Sequence, residues 1–173
     1  AARGFGPMQP PPRHRERIQI TALAEPLRER RARRRLVVAL AIGPGLGRSD
    51  GTVALVRRLL DETALPAVVD ADALWRLEPV ARTAPTVLTP HAGELARLLG
   101  STAEDVTAHR LASAEAAAAR YGCVVLLKGA DTIVAAPGER TLVVDLGPPG
   151  LATAGTGDVL TGVIAAFLAK GLD

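Results

Sequence analysis

Aromatic residues are scarce in this sequence, with one Trp, one Tyr and two Phe among 173 residues. The core is therefore expected to be built from small, branched aliphatic side chains. Cysteine is nearly absent too. The single Cys123 excludes an intrachain disulfide and fits a reducing compartment such as the cytoplasm. Its place at the head of the apolar run Cys123-Val124-Val125-Leu126-Leu127 predicts a buried free thiol. One cysteine and three scattered histidines give no zinc-ligand spacing. No apolar run approaches the roughly 18 residues of a membrane helix, and the first residues lack the apolar core of a signal peptide. Two nucleotide signatures are also missing, the G-x-x-x-x-G-K-[ST] phosphate loop and the G-x-G-x-x-G dinucleotide fingerprint. There is no internal repeat.

What is present is aliphatic. Hydrophobic residues make up 48% of the chain, mostly Ala, Leu and Val, which excludes a wholly disordered protein. Val-rich strands covered by Ala/Leu-rich helices are the usual source of such a composition. The net charge of +3 is uneven, because residues 1–35 hold ten Arg and three Glu and the rest is mildly acidic. Nucleic acid is accordingly not expected as a partner. The chain reads as an Arg/Pro-rich leader over 1–35, either solvated or disordered or a segment for an anionic partner, followed by one domain over 36–173.

From residue 36 short strands and helices alternate. Strands are expected at 36–42, 67–70, 86–88 and 123–127, with a hairpin formed by 133–136 and 141–144. Ser49 or Asp50 should cap a helix to Glu62 that turns Val53, Val56, Leu59 and Leu60 inward. A short helix should follow residue 70 and end before Pro79. Another should run to Leu99, and one long Ala-rich helix should span 103–121, stopped by Gly122. A final helix is expected over 159–170. This alternation predicts an open, largely parallel α/β sheet with helices on both faces, whose ligands bind at the carboxyl ends of the strands. Segments 43–47, 70–72, 89–94, 128–132 and 155–158 all follow strands or open a helix, which points to a single site edge.

Gly155-Thr156-Gly157-Asp158 carries the sharpest chemistry. Glycines let backbone N–H groups approach an anion, and a helix N-terminus adds partial positive charge. Asp158 beside such a hole can accept a hydroxyl proton, or can simply favour the helix dipole. Lys128-Gly129-Ala130-Asp131-Thr132 suits a nucleotide phosphate or ribose, or is only a strand-to-hairpin turn. Gly43-Pro44-Gly45-Leu46-Gly47 is a tight turn with close backbone approach. His91, with Glu94 nearby, is structural, idle or a substrate contact. Asp70 and Asp72 are strand-end carboxylates, or turn and cap residues.

Taken together and in order, IGPGLGRSD (42–50), VVDADAL (68–74), LTPHAGELARLLG (88–100), VVLLKGADTIVAAPG (124–138) and GLATAGTGDVLTGVIAAFLAKG (150–171) resemble the carbohydrate-kinase-like domain of the NAD(P)H-hydrate dehydratases. The resemblance implies a ribokinase-like fold. It implies dehydration of the S epimer of hydrated NADH or NADPH with ADP or ATP as co-substrate and Mg2+ as cofactor. Asp158 matches the family aspartate that contacts the hydrate and is placed to take its hydroxyl proton. Gly45, Gly47 and His91 match hydrate contacts. Lys128, Gly129, Ala130, Asp131 and Thr132, with Gly155, Thr156 and Gly157, match nucleotide contacts. No side chain is carried over as a metal ligand. The resemblance further implies an NAD(P)H-hydrate epimerase domain or protein as a partner, and a homo-oligomer is expected.

Two departures from the pattern stand out. Gly147-Pro148-Pro149-Gly150 replaces a Gly-Asn-x-Gly loop, removing an amide side chain and a backbone N–H at 148, so weaker phosphate positioning is expected there. The family's opening strands and glycine-rich substrate loop find no match before residue 36 and the last helix ends early, so an incomplete domain is expected. Two other readings follow: a vitamin-precursor kinase of the same superfamily, and a truncated, inactive domain acting as a binding subunit.

Overall fold

Apolar triplets and quartets bounded by turn residues form the sheet, and the amphipathic stretches between them form its cover. The computed structural model describes residues 39–147 and 153–172. The expected leader, the start of the first expected strand (36–38) and the Pro148 loop lie outside them. In chain order the elements are β1 (Leu40–Ile42), α1 (Asp50–Glu62), β2 (Ala67–Val69), a 3-10 turn (Ala71–Leu74), β3 (Thr86–Leu88), α2 (Ala92–Leu99), α3 (Ala103–Ala108), α4 (Arg110–Tyr121), β4 (Val124–Leu127), β5 (Thr132–Ala135), β6 (Leu142–Val144) and α5 (Thr156–Ala169).

The six strands lie in sequence order, β1 to β4 parallel and β5 and β6 antiparallel to their predecessors. A parallel sheet wound in one direction with crossovers of one hand puts all its crossover helices on one face. The main core accordingly packs Val56 and Leu60 of α1, Leu95 and Leu98 of α2, Val106 of α3 and Ala114, Ala117 and Ala118 of α4 against Ile42, Val69, Leu88, Val125 and Leu127. The opposite face belongs to α5, whose Leu168 and Ile164 pack on Val68 and Val87. The fold is the open, mostly parallel α/β sheet with helices on both faces that the pattern predicts. Val68 and Val69 in β2 are fully buried toward opposite faces, each worth about 1.5–3 kcal/mol of apolar burial.

Local signals set the helix ends. The Ser49 hydroxyl accepts from Thr52 N at 3.1 Å and caps α1. Gly100 and Gly122, both left-handed, end α2 and α4. Two expectations need correction. The long helix over 103–121 is broken at His109 (φ −127°, ψ 46°) into α3 and α4. Polar side chains back-bond there, the His109 ring lying 3.2 Å from Asp105 O and the Thr107 hydroxyl donating to Ala103 O at 2.7 Å. The final helix starts at Thr156 rather than 159, because Gly155 takes the left-handed turn and its carbonyl accepts from Val159 N at 3.1 Å. Among the described residues no helix is long and apolar enough to cross a membrane.

Candidate functional site

Parallel pairing brings the carboxyl ends of β1 to β4 to one edge of the sheet, and with them the loops 43–47, 70–72, 89–94 and 128–131. An isolated parallel bridge between His91 and Lys128, with Lys128 N donating to Pro90 O at 2.8 Å, carries the β3–β4 ladder into the loops. The start of α5 reaches the same edge. The five segments singled out in the sequence therefore meet.

Asp70 lies at their centre and is 1% exposed. Its Oδ1 accepts from Lys128 Nζ at 2.7 Å and Ala71 N at 2.8 Å, and its Oδ2 from the Thr161 hydroxyl at 2.9 Å. Burial alone would push this carboxyl up; the hydrogen bond and charge of Lys128, with the Thr161 and Ala71 bonds, outweigh it and hold the carboxyl below its ordinary value. Lys128 Nζ also lies 4.0 Å from Glu94 Oε2. Both readings of Asp70 hold, since it caps the 3-10 turn and ends its strand in an ion pair. Its central place was not legible, because its partners lie 58 and 91 residues away.

The glycine turn is held against this centre. Gly43 has φ +141°, and a Cβ there would sit 2.6 Å from the Asp70 carbonyl carbon, so only glycine fits. Gly47 N donates to Asp72 Oδ2 at 3.0 Å and Arg48 Nε to Asp72 Oδ1 at 2.9 Å. The Gly47 N–H is thus committed to Asp72, while Gly45 is exposed at the tip of the turn.

His91 has a structural task. Its Nδ1 accepts from Gly93 N at 3.0 Å and Glu94 N at 3.3 Å, and Glu94 Oε2 accepts from His91 N at 2.9 Å, making a capping box for α2. These partners put the ring proton on Nε2, which lies 3.3 Å from Glu94 Oε1. The ring is 54% exposed.

In the 128–132 segment Gly129 and Ala130 are exposed, and Thr132 opens β5. Arg110, the first residue of α4, braces this loop: Nη2 donates to Asp131 O at 2.7 Å, and Nε lies 3.0 Å from Asp131 Oδ1 without the angle of a hydrogen bond. A Cβ on Gly129 would fall 2.7 Å from the Arg110 guanidinium carbon, so a larger residue there would displace the end of the Arg110 side chain. Sequence reading missed Arg110, which looks like any first-turn helix residue.

At the start of α5, Thr156 N is taken by Thr153 O at 3.3 Å and Val159 N by Gly155 O. The N–H groups of Gly157 and Asp158 have no acceptor among the described residues. Two such donors at a helix N-terminus are able to receive an anion. Asp158, third residue of the helix, is exposed. The carboxylates of the 70–72, 89–94 and 128–131 loops are engaged: Asp70 by Lys128, Asp72 by Gly47 and Arg48, Glu94 by His91, and Asp131 by Arg110. Asp158 has no partner among the described residues. A separate cavity of about 260 Å³, lined by Leu60, Leu77, Thr86, Tyr121 and Cys123, lies at the opposite ends of β3 and β4 and is mainly apolar. Burial pushes the half-buried Cys123 thiol beside it up to about 12, which suits an inert cysteine.

Comparison with known proteins adds a family. The NAD(P)H-hydrate dehydratase family model matches residues 13–173, beginning inside the segment read as a leader. The chain is 50% identical over 153 residues to a bifunctional NAD(P)H-hydrate repair enzyme of Moorella thermoacetica, covering 86% of this chain and 28% of that protein. It is 46% identical over 137 residues to an ADP-dependent (S)-NAD(P)H-hydrate dehydratase of Xanthomonas campestris, covering 78% and 47%. The crystal structure of an ADP/ATP-dependent NAD(P)H-hydrate dehydratase from Bacillus subtilis, co-crystallised with ATP and Mg2+, superposes with a TM-score of 0.71 at 36% identity, covering 76% of this chain and 47% of that one. The chain spans about half, or less, of the length of these relatives.

Proposed function

The chain belongs to the NAD(P)H-hydrate dehydratase family, and from that membership we propose that it serves the nucleotide-dependent dehydration of (S)-NAD(P)H hydrate. The observation that carries this reading is the start of α5, where two N–H donors lacking acceptors among the described residues stand beside Asp158, an exposed carboxylate with no partner there. Asp158 takes the proton of the hydrate hydroxyl as that oxygen attacks the terminal phosphorus of ADP or ATP. The Gly157 and Asp158 amides, with Gly155 and Thr156 shaping the turn, hold the charge that develops on the transferring phosphoryl group. Segment 128–132 holds the nucleotide, and Gly45, Gly47 and the exposed edge of His91 line the hydrate side. AMP or ADP leaves with the electrons of the broken P–O bond. The ring nitrogen's electron push then expels phosphate, after which loss of a proton from the neighbouring ring carbon restores NAD(P)H.

Among the described residues no group of three His, Cys, Asp or Glu side chains forms a metal cluster. Magnesium binds readily through substrate phosphates while keeping several waters, so it would enter here on the nucleotide. There it would offset phosphate charge during transfer. The relative named as bifunctional favours an epimerase activity, on the same or a second polypeptide, as partner. A cytoplasmic, homo-oligomeric protein fits the same reading.

The test combines hydrated NADPH, Mg2+ and ADP or ATP with the purified chain, following phosphate release and NADPH fluorescence together. Stoichiometric recovery of both supports the proposal. Phosphate retained on a small alcohol acceptor would instead favour a vitamin-precursor kinase, and nucleotide binding without turnover an inactive binding domain.

A further inference from the structure

We propose that Asp70 is a positioning residue of the nucleotide site, holding the Lys128 ammonium under the Gly157 turn and, through Thr161, fixing the start of α5 against the 128–132 loop. This rests on the nucleotide-site reading above and names what holds that site together. Three elements distant in sequence, β2, β4 and α5, meet on this one carboxylate. Both of its oxygens are committed, Oδ1 to Lys128 and Ala71 and Oδ2 to Thr161, so Asp70 is not free to take a substrate proton.

Its leverage comes from where α5 sits. This helix lies on the face opposite α1 to α4 and packs through Ile164, Ala165 and Leu168, contacts that are apolar and carry little directional information. The Thr161–Asp70 bond, one turn below Gly157, is directional and fixes the height of the helix start. A methyl group added to Gly157 would lie 3.6 Å from both Asp70 Oδ2 and Lys128 Nζ, so the ion pair is the floor on which the turn rests. Productive phosphate sites need their donors held to within roughly 0.5 Å. Without charge at position 70, the Lys128 ammonium keeps, among the described residues, only Glu94, 4.0 Å away, and the floor is no longer fixed.

The chain has only two lysines, Lys128 and the exposed Lys170, so amine acylation reads the pair directly. Wild type, Asp70→Asn and Thr161→Val would be treated with trace N-hydroxysuccinimide acetate and quantified by mass spectrometry, with ADP affinity measured by calorimetry. In Asp70→Asn, Lys128 acylation should rise about tenfold against the Lys170 internal control, and ADP affinity should fall about tenfold. Thr161→Val keeps the ion pair, so it should weaken ADP while Lys128 labels at the wild-type rate. A folded Asp70→Asn with unchanged Lys128 labelling or unchanged ADP affinity overturns the proposal. Should that variant fail to fold, unchanged ADP affinity in Thr161→Val overturns it. A wild-type chain that binds no ADP defeats the nucleotide-site reading instead, and the labelling contrast still decides whether Asp70 holds Lys128.

Discussion

Gly43→Ala tests how tightly the site edge is built. With φ +141° at Gly43, an added Cβ lies 2.6 Å from the carbonyl carbon of Asp70 and closer still to its oxygen. The obstacle is backbone, so the two strand-end loops must part and the Asp70 N to Ile42 O bond at 2.9 Å must stretch. Left-handed strain of about 1–2 kcal/mol adds to overpacking of about 1–3 kcal/mol, giving a loss of about 2–5 kcal/mol. Gly45→Ala is the control. Its φ of +74° carries a similar strain, but nothing lies within 4 Å of the added atom, so about 1–2 kcal/mol is the whole cost. For a domain of this size each kcal/mol moves the melting temperature by roughly 3–6 °C, so the two variants should separate clearly in thermal melts followed by circular dichroism. Equal destabilisation by both would refute the close approach of β1 to Asp70.

Asp158→Asn should keep the fold and lower hydrate turnover by about 100-fold or more, the usual cost of losing a general base; near-normal turnover would remove Asp158 from the mechanism. The folded-state pKa of Asp70 lies below its unfolded value of about 3.9, so the folded chain binds fewer protons near that pH, and the stabilisation present at neutral pH should be lost as pH falls below about 4. Urea titrations from pH 6 to 3 should therefore show a shallower decline for Asp70→Asn than for wild type, and parallel declines would contradict the ion pair. Cys123, with its thiol pushed up to about 12, should react with iodoacetamide at pH 8 at least about 100-fold more slowly in the folded chain than in urea. Leu142, Val143 and Val144 on β6 and Val159, Val163 and Phe167 on α5 are all at least 45% exposed, so the isolated chain should self-associate. A concentration-independent monomer mass in light scattering would count against that.

Where the sequence was legible, the signal was local. Ala67-Val68-Val69 between Pro66 and Asp70, and Thr86-Val87-Leu88 between Pro85 and Thr89, are apolar runs with hard boundaries, and both became strands where expected. His91-Ala92-Gly93-Glu94 has the spacing of a capping box, with Glu three residues after the cap, so the role of His91 in α2 was open to reading despite the unusual cap residue. The break at His109 was not, because alanine propensity runs straight through it and the back-bonding that stops α3 depends on side-chain geometry. Asp70 and Arg110 failed for a different reason. Each is defined by partners far along the chain, Thr161 and Asp131, and no local period encodes such pairs.

The arrangement also explains why charged residues can close such apolar strands. Asp70 and Lys128 stand at the ends of β2 and β4 and neutralise each other beneath the loops, which lets Val69 and Leu127 stay fully covered beside them. Their mutual cancellation leaves little net field at the surface of the edge. Asp72, Glu94 and Asp131 are likewise spent on holding loops. On the proposed reading, the helix N-terminus and Asp158 both contribute to the potential an incoming phosphate meets at the start of α5. An attractive pair of amides next to one ionised acceptor suits a reaction in which a hydroxyl gives up its proton while phosphate charge is held a few ångströms away. An unpaired Asp70 carboxylate there would repel the nucleotide, and a free Lys128 would compete with the hydroxyl for Asp158. Burying the Asp70–Lys128 pair avoids both, and this is why the floor of the site matters as much as the residues facing the ligand.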